Sequence, residues 1–211
     1  APLSKRRGAP SVTDLREAGY LPGALLNHLA RLGHRYDADG YLSPEELAAG
    51  FDSDRIGRAS ARFDPDQLRH WQREALARLE AADLAEWAGD ALDGVPGESR
   101  ERFLAAVRPN VLLREDVADW AALVFGAGEP AAMSPGRELE GVAPELFESA
   151  AEAYERHGPD LAAIRRAVGE RTGLKGGALL RPLRVCLTGR SSGPELAELL
   201  AAHQGGRVIN F

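Results

Sequence analysis

Apolar residues recur at three- and four-residue intervals along almost the whole chain, a period that admits helices and little else. Leu25, Leu26, Leu29 and Leu32 fall on one face of a segment opened by Pro22 and closed by Gly33. Ser43-Pro44-Glu45-Glu46 reads as a capping box with proline at the first helical position, and it starts a short helix running to Phe51. Asp64-Pro65 opens a longer helix carrying Leu68, Trp71, Leu76 and Leu79. Leu84, Trp87, Ala88 and Leu92 repeat the pattern up to Gly94. Further helices are expected over residues 98–107, 115–125, 144–157, 159–172, 176–187 and 194–203. Residues 207–210 resemble a strand but are too few to count as one. The expected fold class is all-α.

Residues 126–144 hold three Pro and four Gly, enough to separate two helical subdomains. At 211 residues the chain can bury a real core, as one large domain or two to three small ones. The single Cys186 excludes a disulfide framework and fits a reducing, cytoplasmic compartment. No apolar run approaches the roughly 20 residues of a membrane helix, so no membrane partner is expected. The net charge of −6 is unevenly placed. Residues 161–211 carry eight Arg or Lys against three Glu, a basic end on an acidic chain that suits an anionic partner.

The segment RYDADGYLSPEE, residues 35–46, places Asp37, Asp39, Gly40, Ser43 and Glu46 at the positions of a calcium-binding loop. Its first ligand position holds Arg35, where the ion needs a carboxylate, so a polar turn before a capped helix is the expectation. The five histidines, at 28, 34, 70, 157 and 203, show no metal-ligand spacing, and no metal site is expected. Cys186 lies in the apolar run of Leu183, Val185 and Leu187 and reads as a small buried hydrophobe. No Ser–His–Asp arrangement, GxGxxG or P-loop occurs.

Leu3-Ser4-Lys5-Arg6-Arg7-Gly8, followed by Ser11-Val12, resembles the lysine-serine-lysine loop of class I aminoacyl-tRNA synthetases, in the form found in bacterial glutamyl-tRNA synthetases. Gly19-Tyr20-Leu21-Pro22-Gly23-Ala24-Leu25-Leu26-Asn27-His28-Leu29-Ala30-Arg31-Leu32-Gly33 is similar to that family's GYLPEALLNYLALLG segment. Phe63-Asp64-Pro65 with Leu68, and Pro182-Leu183-Arg184-Val185-Cys186-Leu187-Thr188-Gly189, resemble two more of its signatures in the same order. Pro2 stands where the family has its first loop lysine, so only Lys5 carries over. The Rossmann half, with its histidine-glycine-histidine signature, has no counterpart, and the chain looks like the C-terminal portion of such a synthetase.

The resemblance implies a nucleotide loop and stem-contact region over residues 1–80, then two helical anticodon-binding subdomains over 81–143 and 144–211. It implies an ATP-binding loop of Leu3, Ser4, Lys5 and Arg6, with Lys5 catalytic through stabilisation of charge on the pyrophosphate. It implies anticodon contacts from Arg108, Asn110, Arg184, Arg190, Ser191 and Ser192. The full-length enzyme would attach glutamate to tRNA(Glu) using ATP and Mg2+, whereas the chain alone is expected to bind neither and to be inactive. Some members carry arginine at the position of Asn110, where it rejects tRNA(Gln), so tRNA(Gln) stays open as a second substrate. A monomer without DNA partners is expected. The competing readings are a free-standing helical RNA-binding or adaptor protein and, on residues 35–46 alone, a calcium sensor.

Overall fold

The structure, a computed structural model, describes residues 10–57, 63–126 and 143–203. Among these residues the regular elements are helical, and the chain is all-α as its periodicity requires. In order they are α1 (Val12–Glu17), α2 (Pro22–Gly33), α3 (Pro44–Ala49), α4 (Pro65–Arg78), α5 (Ala81–Ala88), α6 (Arg100–Val107), α7 (Arg114–Phe125), α8 (Pro144–His157), α9 (Leu161–Thr172), α10 (Gly177–Thr188) and α11 (Leu196–Ala202). One isolated antiparallel bridge joins His34 to Ile56. The chain forms two compact units, Ala1–Trp87 with Val111–Glu115, and Ala88–Asn110 with Asp116–Phe211.

In the first unit α2 packs along α4, around Ala24, Leu68, Trp71 and Ala75. Leu15, Tyr20, Leu21, Leu25, Tyr41 and Phe63 close the edges of this core. Burying a side chain of that size contributes about 1.5–3 kcal/mol, so these few contacts dominate the pairing. A buried amide then fixes how the segments meet. Gln72 donates to the carbonyls of Gly19 and Leu112, both at 3.1 Å, and accepts from the Leu21 amide at 2.9 Å. The second lone pair of the Gly19 carbonyl takes the indole N–H of Trp87 at 2.7 Å.

The apolar stripe of α2 is only partly the face it buries: Leu25 packs at the core edge and Leu32 is half-buried. Ala24, Asn27 and His28 are buried, whereas Leu26 and Leu29 are 43% and 46% exposed. Small and polar residues face α4 because Asn27 is needed inside: it donates to the carbonyls of Gly23 and Leu42 and accepts from the Leu42 amide. Leu26 and Leu29 instead line an open groove with Leu47 and Phe51.

The capping box before α3 forms as read. Ser43 Oγ accepts from the Glu46 amide, and Glu46 Oε2 accepts from the Ser43 amide at 2.7 Å. Asp37 pairs with the Arg55 guanidinium at 2.7 Å. The loop carbonyls of Ala38 and Gly40 accept from Arg31 on α2. A guanidinium thus holds the turn that resembles a calcium loop.

In the second unit α8 and α9 form a hairpin, and α10 packs across α8. Their core contains Leu146, Ala150, Tyr154, Ile164, Val168, Leu183 and Leu187, with Cys186 among them. Burial pushes the Cys186 thiol up to about 12, in keeping with an inert hydrophobe. α11 packs on α6, where Arg102 lies 3.8 Å from Glu198.

Candidate nucleic-acid interface

Four of the candidate residues, Leu3, Ser4, Lys5 and Arg6, lie outside the described residues. The other six fall in the second unit, at the ends of α6 and α10. Arg108 and Asn110 form a single 3-10 turn directly after α6, with Asn110 exposed and Arg108 half-buried. A 3-10 turn at a helix end leaves backbone groups and side chains facing outward, a suitable place to meet a ligand.

The remaining four cluster at the C-terminus of α10. Gly189 caps the helix in the left-handed region at φ 62°, donating its amide to the Val185 carbonyl. Thr188 Oγ1 donates to the Arg184 carbonyl at 2.8 Å and accepts from the Arg190 amide at 3.2 Å. The chain then turns through Ser191 and Ser192, both exposed, to a buried Pro194. Arg184, one turn back on α10, donates from Nη1 to the Pro194 carbonyl at 2.8 Å. That bond ties the end of the loop to the helix that begins it. With five N–H donors, one such bond leaves Arg184 able to bind further acceptors.

Arg190 is held from two sides. Its guanidinium lies over Trp120 with Cζ 4.5 Å from the ring centroid, and Nη2 is 3.4 Å from Asp119 Oδ2. A partly exposed cation–π contact contributes about 0.5–1 kcal/mol and an exposed ion pair less than about 1 kcal/mol, so together they orient the side chain more than they stabilise the fold. Asp119 and Trp120 were not singled out from sequence. Nothing local marks them, because their role depends on a loop some seventy positions later.

Arg165, Arg166, Lys175 and Arg181 of the basic segment are exposed. Arg171 pairs with Glu148 and Glu152. Arg207 lies outside the described residues. Among the described residues no cluster of three or more His, Cys, Asp or Glu is placed to hold a metal ion.

Residues 73–204 match the family of the anticodon binding domain, a stretch that encloses all six positions. The chain belongs to that family. It is 48% identical to a protein named glutamate–tRNA ligase 2 from Nitrosococcus oceani, over 99% of this chain and 44% of that protein. It is 44% identical to glutamate–tRNA ligase 1 of Halorhodospira halophila, again over 99% of this chain and 44% of that protein. The chain therefore spans less than half the length of the curated relatives it matches. Among solved structures, a glutamate–tRNA ligase from Elizabethkingia meningosepticum in complex with its amino acid superposes with a TM-score of 0.74 at 22% identity, over 96% of this chain and 46% of that one. That likeness supports the same helical fold for the anticodon-binding-domain family member described above.

Proposed function

We propose that this chain is the part of a glutamate–tRNA ligase that grips the stem and reads the anticodon of tRNA(Glu). The observation that carries the reading is that residues 73–204 belong to the anticodon-binding-domain family and contain Arg108, Asn110, Arg184, Arg190, Ser191 and Ser192 at two helix ends of one compact unit. Single-stranded RNA loops are recognised by side chains that bond to splayed base edges or stack on base faces, and Arg does both. The exposed basic residues of α9 and α10 would attract the phosphates around the anticodon and set orientation without sequence preference.

Residues 1–80 serve as nucleotide loop and stem-contact region in this reading, with 81–143 and 144–211 as two anticodon-binding subdomains. The longer protein would activate glutamate with ATP and Mg2+, Lys5 meeting the phosphates, and would act as a cytoplasmic monomer. Asn110 stands where some family members carry the arginine that rejects tRNA(Gln), so tRNA(Gln) is a candidate second substrate of that protein.

Titration of the chain with labelled tRNA(Glu), tRNA(Gln) and an unrelated tRNA at two salt concentrations tests this. Tighter binding of the first two at both concentrations is expected. Equal affinity for all three would reduce the site to a generic basic surface and remove the proposal.

A further inference from the structure

We propose that Trp120 is a positioning residue whose indole sets the shape of the loop over residues 189–194. The inference rests on the tRNA-binding reading and deepens it, by naming what holds one of the two candidate contact segments in place. Gly193 adopts φ +142°, and a Cβ built on it would lie 2.5 and 2.6 Å from the outer edge of the Trp120 ring. No other residue allows the backbone to approach an aromatic ring that closely. Arg190 meets the same indole from above, with Asp119 beside it on α7. Both flanks of the two serines are therefore set on one side chain that is itself buried, at 3% exposure.

The loop is closed from α10 as well, through Thr188 Oγ1 and the bond from Arg184 to the Pro194 carbonyl. Those bonds fix its two ends, whereas the indole holds Arg190 and Gly193 on either side of the serines. A loop held at the ends alone samples many shapes, and ordering it on RNA binding would weaken affinity. The atoms that meet Gly193 belong to the six-membered ring of the indole, at its far edge. A phenyl ring at position 120 would keep a surface for Arg190 but would not reach Gly193. The same shortening would make room for a Cβ at position 193.

A double-mutant cycle of Trp120→Phe and Gly193→Ala tests the clamp, with two readouts: amide exchange over residues 189–193 without RNA, and affinity for tRNA(Glu). Each single variant should speed exchange in the loop and weaken tRNA(Glu) binding about tenfold at unchanged helical content, and the double variant should be no worse than the poorer single one, the pattern of sites in contact. Unchanged loop exchange in either single variant, or losses that multiply in the double variant, would overturn the inference. If Trp120→Phe fails to fold, Trp120→Leu takes its place, because Gly193→Ala is also strained by φ +142° and does not isolate the indole. If the wild-type chain binds no tRNA, the anticodon reading fails, and the exchange data still decide whether Trp120 holds the loop.

Discussion

Arg31 donates to the carbonyl of Gly40 at 2.5 Å, so a helix side chain ties down the loop over residues 35–46. The same guanidinium bonds Asn27 Oδ1 at 2.7 Å and lies 4.4 Å from the centroid of Trp71. The loop is therefore braced from α2. Arg31→Met should lower stability by about 1–3 kcal/mol, because it strips charge-assisted bonds from two carbonyls and Asn27. Thermal melts of the wild type with calcium or with chelator should coincide; a calcium-dependent rise in Tm would revive the calcium reading.

Gln72 satisfies three backbone groups from two segments, Gly19 and Leu21 in the loop before α2 and Leu112 in the stretch before α7. Gln72→Leu fills the space but leaves the Leu21 amide without its partner and removes one bond each from the Gly19 and Leu112 carbonyls. At roughly 1–3 kcal/mol for the orphaned amide and about 1 kcal/mol for the bonds lost at the carbonyls, a loss of about 2–4 kcal/mol is expected in denaturant unfolding. A loss below about 1 kcal/mol would mean that water replaces the amide.

Burial holds the His28 imidazole below its ordinary value, against the opposing effects of the Gln67 bond and the Asp64 charge. Its Nδ1 meets Gln67 Oε1 at 3.1 Å, and Nε2 is buried without a partner. The neutral ring is the form that fits. Its contribution is fully present above the unfolded-state value of about 6.5 and is lost as pH falls through the lower folded-state value. Tm should therefore decline below pH 6.5 more steeply in the wild type than in His28→Leu. Parallel pH profiles would assign the decline to other groups.

Cys186 is buried, and its thiol is pushed up to about 12. Almost no thiolate exists at pH 8, so a maleimide or disulfide reagent should label the native chain slowly and the unfolded chain at once. Fast native labelling would show that α10 opens.

The elements with local signals were legible in the sequence. Pro44 and the Ser43/Glu46 box mark α3, and Asp64 with Pro65 marks α4, because caps act over three or four residues. α1 was not foreseen, although Ser11 and Asp14 form a reciprocal capping box that starts it. Its six residues are too few to show a period. Periodicity also placed Leu26 and Leu29 on one face with Leu25, and the burial of Asn27 and His28 leaves those two leucines outside while Leu25 packs at the core edge. At the interface, Arg184 and Asn110 came from resemblance to a family and not from any spacing. The clamp of Trp120 on Gly193 had no sequence signal at all, since it joins residues far apart in the chain.

If the second unit reads anticodon bases, its affinity depends on base identity and not on phosphates alone. The most direct measurement compares the affinity of the chain for the tRNA(Glu) anticodon stem-loop with that for the same stem-loop carrying substituted anticodon bases, for wild type and Arg184→Ala. A base-reading arginine contributes about 1–3 kcal/mol of discrimination, so the wild type should lose on the order of tenfold or more on substitution and Arg184→Ala should lose little further. A wild type that binds both stem-loops equally, with Arg184→Ala weakening both alike, would contradict the claim and leave Arg184 a phosphate contact.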